Sequence, residues 1–327
     1  MGRNAVPNSI RGWFLFAIAL LGLGVLSSNA NAACTLGKIA ELKVTMSGMT
    51  PVISALINGK DVKFAVDSSS FYNIISAPAA ASSGLRLMPA PDWLAAKGAD
   101  GKSPLSVSAA DDFVVGGLRV KNIEFLAGGN DSGSGIEGVV GQSLFENYDV
   151  EYDFANGVMR LMRPKGCGDA GLAYWANANQ TYSVVDINPT MPAQPFVTGV
   201  ALLNGAQVRV LFDTGANASR ISPQTARQAG LKANPVDLID AGYSRGMGRP
   251  SVMTHLASFS SFKVGDEEIH NPHLRVGETR EGTDMLLGAD FFVSHRIYVS
   301  NAQHKMYFTY NGGPVFSASG KQPRLKL

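Results

Sequence analysis

The sequence repeats itself with a spacing of 146 residues, so the chain is expected to fold as two similar halves. Asn58-Gly59 in the first half corresponds to Asn204-Gly205 in the second, and the same spacing relates Asp67 to Asp213. Each copy has the pattern of a strand, an Asn-Gly hairpin turn, a second apolar strand that ends at an aspartate, and a short helix. The repeat therefore predicts two β-rich units that present an aspartate at the same place.

Signals for a helix follow the aspartate in both copies. A serine can cap the helix, a proline suits its first turn, and a glycine ends it. These residues are Ser76, Pro78 and Gly84 in the first copy and Ser222, Pro223 and Gly230 in the second. We expect a single short helix in each half.

The segment 210–218 is the best candidate for a functional site. A run of apolar residues stops at Asp213, and the residues that follow, Thr214, Gly215 and Ala216, are too small to block access to the carboxylate. An aspartate at the end of an apolar strand is costly to bury unless it is hydrogen-bonded or has a chemical use. Taken alone, the motif would also fit an ordinary strand-to-turn connection, so the rest of the chain must decide.

An apolar-apolar-Gly segment follows later in each copy, Val139-Val140-Gly141 in the first and Leu286-Leu287-Gly288 in the second. With the Asp-Thr-Gly motif before it, this order resembles the retropepsin-like bacterial aspartic proteases of the pepsin/retropepsin clan. The resemblance covers roughly residues 50–163 and 195–310. It implies a mostly β fold of two tandem retropepsin-like β-barrel lobes with pseudo-twofold symmetry.

Asp67 and Asp213 are the catalytic candidates, because peptide hydrolysis by this route needs two neighbouring carboxylates that share one proton and one water. Like charges that close cannot both ionise, so one carboxyl stays protonated. The ionised partner takes a proton from the water as it attacks the carbonyl carbon, and the protonated partner donates to the carbonyl oxygen.

The resemblance also assigns roles to the residues that follow each aspartate. Ser68 and Thr214 would lock the two loops together through their hydroxyl groups, and Gly215 and Ala216 would supply backbone N–H groups around a carboxylate. Ser69 is a departure, since the family has glycine there. A side chain at this position could crowd the carboxylates or strain the loop, so a fold retained without its chemistry stays open.

Two glycine-containing segments are candidates for the flaps that cover the substrate in a retropepsin-like fold. In the second half the flap residues are Gly242, Tyr243 and Gly246, and in the first half they are Gly98 and Gly101. Plain surface loops would carry the same glycines.

Residues 1–32 have the three parts of a secretory signal peptide, with basic residues before an apolar core at 14–26 and an Ala-x-Ala site that ends at Ala32. We therefore expect a periplasmic or secreted protein. Cys34 would suit a lipoprotein, but the usual leucine three residues earlier is absent. A disulfide with Cys167, the only other cysteine, is favoured in an exported chain.

The predicted organisation has five segments: a signal peptide at 1–32, an N-terminal lobe at 33–167, an ordered linker at 168–194, a C-terminal lobe at 195–313 and a basic tail at 314–327. The charges nearly balance, with 28 basic and 26 acidic residues, so neither a nucleic acid nor a membrane surface is implied as a partner. We expect no membrane span after removal of the signal. No phosphate loop or dinucleotide fingerprint indicates a cofactor, and His270 and His273 lack a nearby third ligand for a metal.

Three interpretations of function are compatible with these patterns. The first is a secreted or periplasmic aspartic endopeptidase that acts on peptide or protein substrates, as a monomer with pseudo-dimeric lobes. The second, favoured by Ser69, is a catalytically degraded protein that binds extended peptides in the cleft by strand addition. The third keeps catalysis but forms the dyad from two Asp213 loops across a homodimer.

Overall fold

A computed structural model of the chain describes residues 34–91, 96–98, 101–103, 105–129, 133–177, 180–189, 196–232, 238–244, 252–280 and 282–316. The predicted signal peptide lies outside these residues, as does the predicted tail beyond residue 316.

Strands dominate the first half of the chain. They are β1 (Thr35–Lys43), β2 (Thr45–Ser47), β3 (Thr50–Ile57), β4 (Lys60–Val66), β5 (Ile74–Ile75), β6 (Met88–Pro89), β7 (Ala96–Gly98), β8 (Gly101–Ser103), β9 (Ser106–Ala110), β10 (Phe113–Val115), β11 (Leu118–Val120), β12 (Ile123–Ala127), β13 (Gly138–Val140), β14 (Asp149–Asp153) and β15 (Val158–Lys165). The helices are α1 (Ala77–Ser82) and α2 (Gln142–Phe145), with a 3₁₀ turn at Phe154–Asn156.

The second half follows the same plan. Its strands are β16 (Ser183–Asp186), β17 (Thr198–Leu203), β18 (Ala206–Phe212), β19 (Arg220–Ile221), β20 (Ile239–Ser244), β21 (Val252–Ser258), β22 (Ser261–Val264), β23 (Glu267–His270), β24 (His273–Val276), β25 (Met285–Leu287), β26 (His295–Ser300) and β27 (Lys305–Tyr310). Its helices are α3 (Pro223–Gln228) and α4 (Ala289–Phe292).

The structure confirms the mostly β fold with two tandem lobes. In each half an antiparallel hairpin turns at Asn-Gly, β3–β4 in the first and β17–β18 in the second. A later strand then pairs in parallel with the second strand of the hairpin, β13 with β4 and β25 with β18. Helices α1 and α3 begin directly after the capping serines Ser76 and Ser222, as predicted.

The expectation of a single helix in each half is wrong, because each half has a second helix of one turn. These helices, α2 and α4, begin directly after Gly141 and Gly288. They are only four residues long, too short for the helical spacing of apolar residues to appear in the sequence. Their buried aromatic residues read instead as a continuation of the preceding apolar strand.

A six-stranded sheet joins the two halves, with the strand order β1-β15-β14-β26-β27-β16 among the described residues. Strands β1, β15 and β14 come from the first half and β26 and β27 from the second, and the halves meet where β14 pairs antiparallel with β26, with Val150 opposite Val299. Strand β16 lies within the predicted linker and pairs with β27. The connection between the lobes is therefore part of the sheet over those residues.

Cys34 and Cys167 form the predicted disulfide. They lie at one end of the β1–β15 pair, whose register places Thr35 opposite Lys165. The disulfide bond uses the sulfur atom of Cys34. Across the part of the chain that the structure describes, none of the helices has the length and apolar character needed to cross a membrane.

Candidate active site

Both candidate aspartates lie directly after the second strand of the repeated hairpin, beside a parallel neighbour. The backbone N–H of Asp67, after β4, donates to the carbonyl oxygen of Val140 in β13 at 3.0 Å. The backbone N–H of Asp213, after β18, donates to the carbonyl oxygen of Leu287 in β25 at 2.9 Å. The apolar-apolar-Gly strands therefore hold each aspartate at the end of its strand.

The glycine that ends each of these strands is required by close packing against the active-site loop. A Cβ atom at Gly141 would lie 2.5 Å from the carbonyl oxygen of Ser70, and one at Gly288 would lie 2.6 Å from that of Ala216. Both distances are shorter than van der Waals contact allows, so any side chain would push the loop away from the strand.

The two loops are joined by reciprocal hydrogen bonds of their hydroxyl side chains. The Ser68 hydroxyl donates to the carbonyl oxygen of Phe212 at 2.8 Å, and the Thr214 hydroxyl donates to that of Val66 at 2.9 Å. Each hydroxyl also accepts the backbone N–H of the other residue at 3.0 Å. Both residues are buried, so these four hydrogen bonds form one connected network between the lobes.

The loop of Asp213 lies against the carboxylate of Asp67. A Cβ atom at Gly215 would lie 2.3 Å from the Asp67 Cγ and within 2.6 Å of both of its oxygens. Only glycine leaves room for that carboxylate. The Asp67 carboxylate is therefore in van der Waals contact with Gly215, two residues after Asp213.

Each carboxylate accepts two hydrogen bonds from its own loop, but the donors differ. Asp67 Oδ1 accepts the backbone N–H of Ser69 at 2.8 Å and the Ser69 hydroxyl at 2.9 Å. Asp213 Oδ1 accepts the backbone N–H groups of Gly215 at 2.9 Å and Ala216 at 3.1 Å. Ser69, the residue that departs from the family motif, thus contacts a candidate catalytic oxygen directly.

The surroundings of Asp213 favour its protonated form. Burial and then the negative charge of Asp67 raise the pKa of Asp213 to about 7, against the opposing effect of hydrogen bonds from Ser69, Gly215 and Ala216. Asp213 is 7% exposed, whereas Asp67 is only half-buried. Asp213 is thus prepared to hold a proton at mildly acidic pH beside the Asp67 carboxyl.

Comparison with known proteins decides the family. The family model described as aspartyl protease matches residues 53–144 and again residues 200–291, which together make up more than half of the chain. The chain belongs to the aspartyl protease family. Among solved structures, a retropepsin-like aspartic protease from Rickettsia conorii is 19% identical; the match covers 40% of this chain and 94% of that one, with a TM-score of 0.29. No curated protein matches the sequence.

The protease has a buried polar network behind the loop of Asp213, which sequence reasoning missed. Asp290, in α4, accepts the backbone N–H of Ser219 at 2.9 Å and its hydroxyl at 2.6 Å, and the Ser219 hydroxyl accepts the N–H of Gly288 at 2.9 Å. Burial raises the pKa of Asp290 to about 6, although the Ser219 hydrogen bonds and the charge of Arg275 favour ionisation. The acidic residue two positions after Gly288 was a signal in the sequence, but nothing there indicated its partner.

The first half has a related network with different side chains. The Asn73 side-chain oxygen accepts the N–H of Gly141 at 3.1 Å, as the Ser219 hydroxyl does for Gly288 in the second half. The Gln142 amide also donates to the carbonyl oxygen of Ser68 at 2.7 Å. The peptide between Ser68 and Ser69 is therefore held by a side chain of α2.

Arg280 reaches the active-site loop of the first half from the loop that follows β24 in the second half. Its Nη1 donates to the carbonyl oxygen of Ser69 at 3.0 Å, and its guanidinium lies 3.9 Å from the ring centroid of Phe196. Arg280 and Phe196, with Phe71 and Tyr72, line a cavity of about 570 Å³ beside the loop. No motif in the sequence pointed to Arg280.

The candidate flap residues fall on two hairpins, only partly within the described residues. Gly242 and Tyr243 are in β20, which pairs with β21, and Tyr243 is 61% exposed. Gly246 lies outside the described residues. In the first half, Gly98 and Gly101 face each other across the pair β7–β8.

The histidines weighed as metal ligands do not gather with other ligand residues. His270 ends β23 and His273 begins β24, on either side of a tight turn. Within the described ranges, no three or more His, Cys, Asp or Glu residues are grouped as metal ligands would be.

Proposed function

We propose that the protein is an exported aspartic endopeptidase in which Asp67 and Asp213 of one chain activate a water molecule. The observation that carries the proposal is the packing of the Asp67 carboxylate against Gly215 in the loop of Asp213. The hydroxyl network of Ser68 and Thr214 supports it, because it sets the two loops in a fixed relation.

The different environments of the two carboxyl groups indicate which one acts as the acid and which one acts as the base. Asp213 is buried and its pKa is raised to about 7, so it carries the shared proton and donates it to the carbonyl oxygen of the scissile bond. The more exposed Asp67 accepts hydrogen bonds from Ser69 and, as the base, takes a proton from the water that attacks the carbonyl carbon. Acid and base are both carboxyl groups, so the mechanism requires no cofactor.

The substrate is proposed to be an extended peptide or protein segment lying between the lobes, under the β20–β21 and β7–β8 hairpins. The proposed lobes are 33–167 and 195–313. Periplasmic or secreted localisation is supported by the signal-peptide pattern at 1–32 and by the disulfide between Cys34 and Cys167.

Digestion of a broad peptide library at acidic pH, read by mass spectrometry, tests the proposal. The native protein is expected to cleave, with a rate that declines as the pH rises through about 7 because Asp213 then loses its proton. Asp213→Asn is expected to abolish cleavage, since asparagine neither ionises nor donates the shared proton. The control Asp61→Asn changes an exposed aspartate of the neighbouring strand β4 and should leave the rate unchanged.

The specific observation that favours the alternative, a peptide-binding protein without catalysis, is the side chain of Ser69 beside the dyad. Under that alternative the native protein would bind library peptides in the cleft and return them uncut at every pH. A statine-type transition-state mimic would then bind no better than an ordinary peptide, whereas an active dyad should bind it more tightly by about 100-fold or more.

A further inference from the structure

Ser69 makes the two halves of the active site unequal. Its counterpart in the second half is Gly215, where a Cβ atom would lie 2.3 Å from the Asp67 Cγ. At position 69 a side chain is accommodated, and its hydroxyl lies 2.9 Å from Asp67 Oδ1. The hydroxyl donates to Asp67 Oδ1, and it also lowers the pKa of the nearby Asp213, which burial and the charge of Asp67 raise on balance.

Arg280 also contacts the loop that contains Ser69. It belongs to the second half, yet its Nη1 donates to the Ser69 carbonyl oxygen at 3.0 Å, so it holds the residue whose N–H and hydroxyl both reach Asp67 Oδ1. The stacking of its guanidinium on Phe196 at 3.9 Å restricts the arginine itself. Three groups of Ser69, the carbonyl, the N–H and the hydroxyl, are thus fixed at once.

We propose that Arg280 and Ser69 are a positioning pair that assigns the water-activating role to Asp67 and leaves the shared proton on Asp213. This inference rests on the proposed function and deepens it. Two donors fix the Oδ1 oxygen of Asp67 and stabilise negative charge on it, and both come from a residue that Arg280 holds in place. In this reading Ser69 is an adaptation of the motif, and its hydroxyl supports catalysis.

The groups that face Asp67 are compatible with this assignment. Asp213 lies in the opposite loop and is buried, and Arg280 brings a positive charge to the peptide of Ser69. Tyr152, on β14, is fully buried, and burial with the charge of Asp67 raises its pKa above the usual range, so it remains neutral. The titration of the pair is thereby left to the two carboxyl groups.

Kinetics across pH test the positioning role. Ser69→Gly removes the hydroxyl donor, so the acid limb of the kcat/KM profile should move to higher pH, by about 0.5 to 1 unit. Arg280→Gln should move it in the same direction and lower kcat about three- to tenfold while KM changes less than about twofold. Arg280→Lys, which keeps the charge and a donor, should recover part of the loss. The control Arg119→Gln removes an exposed arginine paired with Asp112 and should change neither parameter.

The double variant separates a positioning role from a general structural one. If Arg280 acts through both donors of residue 69, then Arg280→Gln should lower kcat less in the Ser69→Gly background than in the native protein, because only the N–H donor remains there to be held. Equal effects of Arg280→Gln in both backgrounds, or a lower kcat with no shift of the acid limb, would overturn the proposal.

Amide hydrogen exchange provides a readout that needs no activity. Arg280→Gln should accelerate exchange of the Ser69 amide by about tenfold, because its hydrogen bond to Asp67 is less well held, and should leave the Gly215 amide unchanged. Unchanged exchange at Ser69 would overturn the pair. Faster exchange in a protein that cleaves nothing would support the hold of Arg280 and Ser69 on Asp67 while rejecting the endopeptidase function.

Discussion

At the scale of single residues, the arrangement of the proposed dyad depends on two buried hydroxyl groups. Ser68 and Thr214 each donate to a carbonyl oxygen of the opposite half and each accept an N–H from the other. Exchange of either hydroxyl for a methyl group would leave a buried donor and a buried acceptor without partners, which is more costly than the loss of an exposed hydrogen bond.

Thr214→Val is therefore expected to destabilise the protein and to inactivate it. The variant keeps the shape of the side chain but leaves the Ser68 N–H and the Val66 carbonyl unpaired, at about 1–3 kcal/mol each. Urea unfolding should show a lower free energy of unfolding for Thr214→Val, and Thr214→Ser, which keeps the hydroxyl, should show a smaller decrease. A Thr214→Val protein as stable and active as the native one would contradict the importance of this network.

Asp290 predicts how the stability of the fold depends on pH. Its folded-state pKa of about 6 is above the ordinary aspartate value of 3.8, so the folded protein binds more protons than the unfolded chain between these pH values. Stability is then greatest at acidic pH and falls as the pH rises from about 4 to about 6, by up to roughly 3 kcal/mol for this residue. Asp213 acts in the same direction, up to pH 7.

Asp290→Asn tests this dependence in thermal melts between pH 4 and pH 7. Asparagine can still accept the Ser219 N–H but cannot ionise, so the decline of Tm with pH should be shallower than in the native protein. Asp61→Asn, an exposed change, is the matched control. Parallel Tm curves for Asp290→Asn and the native protein would show that burial of Asp290 does not drive the pH dependence.

The sequence indicated both aspartates and their loops, because the repeat and the apolar-apolar-Gly strands are local patterns. It could not indicate that the Ser69 hydroxyl bonds to Asp67, since that depends on the side-chain conformation in the folded loop. Arg280 lies 211 positions from Ser69, and no pattern of spacing relates the two residues. The role of Asp290 depends in the same way on a distant partner, Ser219.

At the scale of elements, the best-predicted parts are those with their own end signals. Helices α1 and α3 have a serine cap and a proline in the first turn, and both were placed from the sequence. Helices α2 and α4 have a glycine at the N-cap and no side-chain cap, so they lack such a signal. The six-stranded sheet was not predicted either, because strand order across the two halves is a matter of long-range pairing.

Ser222→Ala should reveal the contribution of a cap to these short helices. The Ser222 hydroxyl accepts the N–H of Thr225 at 3.0 Å, and α3 is only six residues long, so few other hydrogen bonds secure its start. The free energy of unfolding, measured in urea, is expected to fall by about 1 kcal/mol. Ser222→Asn, which retains an acceptor, should lose less, and equal stability of all three proteins would exclude a role for the cap.

At the scale of the whole molecule, the sheet between the halves carries a buried charged cluster. Glu151 of β14 is fully buried and accepts hydrogen bonds from Arg160 at 2.6 Å, from Arg296 of the other half at 2.8 Å, and from Tyr174 at 2.6 Å. A carboxylate buried with these partners ties the connection and both halves to one geometry. The proposed dyad thus lies on a framework that a single chain supplies.

A single chain with both aspartates in one site should be active as a monomer. Specific activity should stay constant on dilution, and Asp67→Asn should be as inactive as Asp213→Asn. A homodimer that forms its dyad from two Asp213 loops would behave differently: it would lose activity on dilution and would tolerate Asp67→Asn.

Mixing the two inactive variants adds a further check, because one chain in the mixture always lacks Asp67 and the other lacks Asp213. If each active site is formed by the loops of one chain, as the Ser68–Thr214 hydrogen bonds indicate, the mixture should remain inactive.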